Sequence, residues 1–149
     1  MKQGPERELV SRYLDRAKAA GKPLALTGFD VSEYAESRSA TVDGRKADEA
    51  GMLRAALPEG IVIALDEHGK TMPSAAFANQ LGRWRDDGRQ AVSFVIGGAD
   101  GLDPAFARSA DLTLSFSPLT WPHQLVRIML AEQLYRATTI LSGHPYHRE

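Results

Sequence analysis

Residues 112–137, LTLSFSPLTWPHQLVRIMLAEQLYRA, carry the clearest indication of fold in this chain. It begins with a short apolar run that suits a buried strand, passes through a loop framed by Pro118 and Pro122, and continues as a long apolar helix. Both prolines fix their own φ angle, and Trp121 before Pro122 is biased away from the helical region, so the loop is rigid. This order predicts one strand–loop–helix unit of an α/β fold.

A second loop, marked by glycine, lies upstream in FVIGGADGL, residues 94–102. Gly97 and Gly98 directly follow an apolar run, and glycine lets backbone N–H and C=O groups approach a ligand with no Cβ in the way. The segment is neither a phosphate-binding P-loop nor the GxGxxG dinucleotide fingerprint. From these residues alone, a ligand loop and a structural turn are equally good interpretations.

The rest of the chain alternates helices with buried strands, which predicts one α/β domain with a largely parallel sheet and helices on both faces. Helices are expected at residues 5–20, 48–57 and 122–141, and a further helix is marked by Phe77, Leu81 and Trp84 and ended by Gly88. Strands are expected at residues 24–29, 61–65, 91–96 and 112–116. Residues 32–45 are polar and predict a loop, and residues 66–70 predict a plain turn with Gly69 at positive φ.

Composition excludes several classes of protein. Charged residues at 25% and hydrophobic ones at 43% are globular values, and the absence of cysteine rules out disulfides and a thiolate nucleophile or metal site. A formal net charge of −1 gives no global attraction for a phosphate backbone, so a nucleic acid would be held by local patches or presented by a larger assembly. With no signal-peptide core or membrane span in the sequence, we expect a cytoplasmic protein.

The closing segment GHPYHRE, residues 143–149, holds two His, a Tyr and an Arg and has no core pattern. Histidine exchanges protons near neutrality, arginine holds phosphate and tyrosine can stack on a base. The segment therefore predicts contact with a nucleotide or RNA. Metal binding is the competing interpretation, and it ranks lower because no other ligand cluster exists.

The final helix is apolar nearly all round, from Leu125 to Leu141. A helix at the end of a small domain buries only one side in its own core, so the surplus predicts a partner surface, most simply a homodimer. The alternative is that the tail and the loops cover this surface.

Three segments together, IGGADGL, LSFSPLTWPHQLVR and AEQLYRA…HPYHRE, resemble the SPOUT-class methyltransferases. More narrowly they resemble the ribosomal RNA large subunit methyltransferase H family, over about residues 4–149. The resemblance implies methylation of N3 of a pseudouridine in 23S rRNA, with S-adenosylmethionine as methyl donor. It also implies an obligate homodimer and a C-terminal trefoil knot, which sequence periodicity could not reveal because knots are very rare.

The resemblance also carries site residues onto this chain. Cofactor contacts fall on Leu65, Gly97 and the loop residues Phe116, Ser117, Pro118, Leu119, Thr120 and Trp121. The family's closing motif, which lies by the methyl-transfer site, matches His144, Tyr146, His147 and Arg148. Either histidine is a candidate base for the N3 proton, Tyr146 could stack on the target base, Arg148 could hold phosphate, and no metal is expected.

One departure concerns the start of the chain. Family members usually begin with an extra apolar strand before the segment equivalent to Gly4-Pro5, whereas this chain opens at MKQGPE. We therefore expect a single SPOUT-like domain over residues 1–149 that lacks that strand. Two rival functions stay open: a non-catalytic nucleotide- or RNA-binding α/β module, and a nucleotide hydrolase. The hydrolase is disfavoured because neither a phosphate loop nor a carboxylate cluster for a metal is evident.

Overall fold

The computed structural model describes residues 4–148, which fold as two compact units. We call residues 4–32, 72–88 and 124–148 the helical unit, and residues 33–71 and 89–123 the sheet unit. Along the described residues the elements are α1 Pro5–Gly21, a short 3-10 helix Lys22–Leu24, α2 Val42–Ala56, β1 Ile61–Lys70, α3 Ser74–Asp86, β2 Val92–Ile96, α4 Pro104–Ser109, β3 Leu112–Leu114 and α5 His123–Ser142.

The sheet of the sheet unit has three strands in the order β2-β1-β3 within the described residues, and both pairings are parallel. This arrangement confirms the prediction of an α/β fold with a largely parallel sheet. Three of the four predicted strands are present, and the central one is longer than expected because it continues to Lys70. Ile63, near the start of that strand, is fully buried.

Helices α2 and α4 pack against one face of the sheet. Ala50 of α2, Val95 of β2 and Phe106 of α4 form a buried apolar cluster there. The short helix α4 is missing from the sequence interpretation, although Asp103 caps it by accepting a hydrogen bond from the Phe106 N–H at 3.0 Å and Pro104 occupies its first turn. An Asp-Pro pair is a start signal that could have revealed this helix.

Gly69 corrects the predicted turn after β1. It lies inside the strand and is not among the residues with positive φ. A Cβ at this position would lie 2.6 Å from the Thr113 carbonyl oxygen, so glycine is needed because β3 approaches closely. Leu65 and Lys70 both pair with Leu114, so residues 66–69 bulge out of the strand register.

The loop predicted for residues 32–45 ends earlier than expected. Helix α2 begins at Val42, and Thr41 caps it by accepting a hydrogen bond from the Gly44 N–H at 3.0 Å. The apolar stripe of α2 starts only near Met52, which explains why the first turn was not predicted.

In the helical unit, α1 and α5 form a core in which Val10, Leu14 and Ala131 are buried. The strand predicted at residues 24–29 is wrong. The chain there makes a 3-10 turn, Ala25 takes a left-handed conformation with φ 60°, and Phe29 packs its ring against the α1–α5 core. The packing of the partly buried Phe29 against that core accounts for one of the apolar residues that suggested a strand. None of the helices in residues 4–148 combines the length and apolar character that a membrane crossing requires.

Candidate functional site

Three segments distant in sequence lie at one edge of the parallel sheet. Leu65 of β1 pairs with Ile96, the last residue of β2, and with Leu114, the last residue of β3. Gly97 follows β2 directly, and residues 115–122 follow β3. The structure therefore places the glycine loop and the proline loop at the carboxyl ends of β2 and β3. Both loops begin beside Leu65, the last residue of β1 before the bulge of residues 66–69. Open α/β sheets bind ligands at such strand ends.

The glycine loop, residues 97–101, is a tight turn. The Gly101 N–H donates to the Gly98 carbonyl oxygen at 3.0 Å, and Gly101 has φ 85°. A Cβ on Gly97 would lie 2.6 Å from the Gly101 carbonyl carbon, closer than real Cβ atoms come. Gly97 is thus required by the fold of its own loop, and the same lack of a side chain leaves its backbone groups accessible to a ligand.

The proline loop, residues 115–122, is shaped by serines as well as by prolines. The Ser115 hydroxyl is buried; it accepts from the Ser117 N–H at 3.1 Å and lies 3.1 Å from the Glu67 carbonyl oxygen. The Ser117 hydroxyl in turn accepts from the Leu119 N–H at 3.0 Å. The sequence placed Ser115 inside a predicted strand 112–116, whereas β3 ends at Leu114 and Ser115 begins the loop.

Thr120 ties the proline loop to β1. Its hydroxyl donates to Glu67 Oε2 at 2.5 Å, so Glu67, which the sequence assigned to a plain turn, restrains the loop. Leu119 and Trp121 are exposed, by 65% and 38%. The hydrogen bond to Glu67 therefore restrains the loop, while two of its large apolar side chains stay exposed.

The tail, residues 143–148, belongs to the helical unit and turns back along α5. Gly143, with φ 76°, ends the helix; its N–H donates to the Ile140 carbonyl oxygen at 3.3 Å and the His144 N–H donates to that of Thr139 at 2.9 Å. This pair of bonds is a Schellman motif, which satisfies the last carbonyls of the helix and reverses the chain.

Tyr146 anchors the tail on α5. Its hydroxyl donates to Glu132 Oε2 at 2.9 Å, and its ring centroid lies 4.7 Å from that of Tyr135. The Arg136 guanidinium lies 4.9 Å from the centroid of the Tyr146 ring. Burial, together with the hydrogen bond to Glu132, raises the pKa of Tyr146 to about 12. A segment without a core pattern is thus held by aromatic and charged contacts.

Arg136 connects this anchor to His147. Its Nη2 and Nε donate to the two carboxylate oxygens of Glu132 at 2.8 and 3.2 Å, and this hydrogen bonding raises the pKa of Arg136. Its Nη1 lies 3.0 Å from His147 Nδ1. Because arginine only donates, Nδ1 must accept, so a neutral His147 ring carries its hydrogen on Nε2.

His144 has the same tautomer, since its Nδ1 accepts from the Tyr146 N–H at 3.2 Å. In their neutral form both histidines of the tail therefore carry the ring hydrogen on Nε2. Arg148 is exposed at the end of the described residues. No three His, Asp or Glu side chains in residues 4–148 converge on a point that could hold a metal ion.

Comparison with known proteins defines the class. The family model described as "Predicted SPOUT methyltransferase" matches residues 1–147, and the chain belongs to this family of methyltransferases. Two curated relatives are named "Ribosomal RNA large subunit methyltransferase H". The one from Rhodopseudomonas palustris (strain BisB5) is 56% identical to this chain, and the one from Brucella anthropi is 57% identical. Each alignment covers 99% of this chain and 93% of the relative. The resemblance drawn from the sequence motifs is confirmed.

Proposed function

We propose that this protein is an S-adenosylmethionine-dependent methyltransferase that acts on N3 of a pseudouridine in 23S rRNA of the large ribosomal subunit. The relatives' names, at 56% and 57% identity over almost the whole chain, support an rRNA substrate. The observation that carries the proposal is the double pairing of Leu65 with Ile96 and Leu114, because it aligns the glycine and proline loops at one sheet edge.

The residues at this edge suit the methyl donor. A flat adenine requires apolar walls and a few fixed backbone hydrogen bonds. Strand β1 offers Leu65, and the proline loop offers Phe116 and a backbone restrained by Ser115 and Glu67. Gly97 and Gly98 have no Cβ to obstruct an elongated ligand. In the proposed site, Leu65, Gly97 and residues 116–121 hold the donor. When bound, S-adenosylmethionine supplies a methyl group already activated on a sulfonium sulfur.

In this proposal the tail contacts the pyrimidine ring that is methylated. N3 of a uracil-type ring lies between two carbonyl groups, so negative charge spreads onto both oxygens when the N3 proton leaves to solvent. The Nε2–H groups of His144 and His147 are donors suited to stabilise that charge. The alternative, in which one of these histidines takes the proton as a base, requires its ring to release the bond that Nδ1 now accepts.

The other two tail residues have different roles. Tyr146 keeps the tail on α5, and it can stack on a base only through the part of its ring that Tyr135 and Arg136 leave uncovered. The exposed guanidinium of Arg148 binds phosphate. Because the net charge of −1 gives little attraction for free RNA, the substrate is an assembled ribosomal particle in the cytoplasm.

We also propose that the single SPOUT-like domain carries the trefoil knot of its class and works as a homodimer. The dimer is supported by large apolar side chains exposed at the start of α5 and just before it: Leu119 by 65%, Trp121 by 38% and Leu125 by 41%. Light scattering at micromolar concentration should give about twice the 16.3 kDa chain mass, and a monomer would contradict the dimer.

Calorimetric titration with S-adenosylmethionine tests the proposed function against its rival, a non-catalytic nucleotide- or RNA-binding module. The methyltransferase requires binding of the donor, whereas the rival does not. Deletion of residues 146–149 should leave donor binding intact and abolish methylation of ribosomes, because the donor site and the tail are separate parts of the chain. No heat of binding to the full chain would overturn the proposal.

A further inference from the structure

We propose that Arg45 and Asp100 are positioning residues whose ion pair holds the glycine loop in the shape that binds the methyl donor. This inference rests on the proposed function and gives a role to two residues that the sequence analysis left without one: Arg45, and Asp100 within the quoted segment IGGADGL. Both residues lie in the sheet unit, Arg45 in the first turn of α2 and Asp100 within the glycine loop.

The pair is a two-point contact between segments 55 positions apart. Arg45 Nε donates to Asp100 Oδ2 at 2.8 Å, and Nη2 donates to Oδ1 at 3.4 Å. Both side chains are only partly exposed, 28% for Arg45 and 27% for Asp100. The hydrogen bond lowers the pKa of Asp100 and raises that of Arg45. The fork of a guanidinium on a carboxylate fixes direction as well as distance.

The restraint reaches Gly97 through the turn. Asp100 is the third residue of the turn that the bond from Gly101 N–H to the Gly98 carbonyl closes at 3.0 Å. Gly101 in turn packs against Gly97, where an added Cβ would lie 2.6 Å from the Gly101 carbonyl carbon. Movement of Asp100 is therefore transmitted to the backbone of Gly97, the proposed donor contact.

Arg45 is itself held in place from its own side. Its Nη1 donates to the Ser39 carbonyl oxygen at 3.2 Å, and Glu49 accepts from the Ser37 N–H at 3.0 Å. A Cβ on Gly98 would lie 3.2 Å from Glu49 Oε1, so the segment before α2 and the helix itself border the glycine loop. Arg45 and Glu49 of α2 thus contact the glycine loop, in addition to the hydrogen bond within its own turn.

The test is calorimetric titration of the full chain with S-adenosylmethionine. Asp100→Asn and Arg45→Met should each weaken binding by about three- to fivefold, the size expected for a partly exposed pair. The turnover number at saturating donor should change less than KM for the donor, because the pair shapes the loop and does not touch the base. The charge-reversed double variant Arg45→Asp/Asp100→Arg should recover part of the affinity.

A matched control is Asp86→Asn, which removes an ion pair of similar length, 3.0 Å to Arg85, in the helical unit. It should leave donor affinity unchanged. Unchanged affinity in both single variants would overturn the positioning role while leaving the proposed function intact. Weakened affinity with a lowered melting temperature and no recovery in the double variant would also overturn it, as a general folding effect. A wild-type chain that does not bind the donor would overturn both proposals.

Discussion

The hydroxyl of Tyr146 donates to the carboxylate of Glu132 over 2.9 Å, across 14 positions of sequence. The same carboxylate receives two bonds from Arg136, which also contacts His147. Glu132 is therefore the point at which the tail is fixed to α5. A histidine that must meet an incoming base benefits from such an anchor, since a fixed donor loses no freedom when it acts.

Tyr146 should lose its phenolic proton only at a pH well above that of an ordinary tyrosine, which gives a late step in an alkaline titration. Its pKa of about 12 lies above the ordinary value of about 10, so the folded state retains the phenolic proton more tightly than the unfolded chain. The contact contributes stability that is fully present below about pH 10 and is lost as the pH rises toward about 12. Tyrosinate absorbance of the wild type should show this late step, and Tyr146→Phe should remove it.

The matched control for this titration is Tyr34→Phe, which changes a tyrosine that is 48% exposed. It should leave the late step in place. A late step that survives Tyr146→Phe would show that Tyr146 is not anchored on Glu132.

Gly97→Val should abolish binding of S-adenosylmethionine while the circular dichroism spectrum stays native. The valine Cβ would meet the Gly101 backbone at 2.6 Å, so the glycine loop must open, at a cost of about 1–3 kcal/mol for such overpacking. Calorimetry measures the binding and thermal melting measures the stability.

Gly51→Ala is the control for that experiment, because no atom lies within 4 Å of a Cβ added at this helical position. It should stabilise the protein by about 0.5–1 kcal/mol and leave donor binding unchanged. Unaltered donor affinity in Gly97→Val would remove the glycine loop from the proposed site.

His147→Ala should lower the turnover number by about 10²-fold, the usual cost of losing one donor to a developing negative charge. The deficit should shrink as the pH rises, because N3 then loses its proton unaided. His147→Gln separates the two possible roles, since an amide donates a hydrogen bond but is no base at this pH. Recovery of most of the rate in His147→Gln supports the donor, whereas a rate as low as that of His147→Ala supports the base.

The sheet and the two strand-end loops could be predicted from the sequence because their signals are local. Apolar runs bounded by glycine or proline define β2 and β3 and the loops that follow them. The strand predicted at residues 24–29 is wrong because the apolar Phe29 packs against the α1–α5 core and does not pair in a sheet. Helix α2 begins before any apolar stripe, and α4 is only six residues long.

The contacts that shape the site could not be predicted, because they join residues far apart in sequence. Arg45 and Asp100 are separated by 55 positions, and Thr120 and Glu67 by 53. No periodicity links such pairs. The family resemblance supplied the identity of the site residues, while their mutual restraints follow only from the three-dimensional fold.

The most direct test of the central claim is methyl transfer to ribosomes. Ribosomes from cells that lack the modification are incubated with the protein and methyl-labelled S-adenosylmethionine, and the nucleosides of 23S rRNA are separated and identified by mass spectrometry. We expect label in N3-methylpseudouridine, with assembled particles as better substrates than free 23S rRNA. A chain that binds the donor in calorimetry yet transfers no methyl group to ribosomal RNA would contradict the central claim.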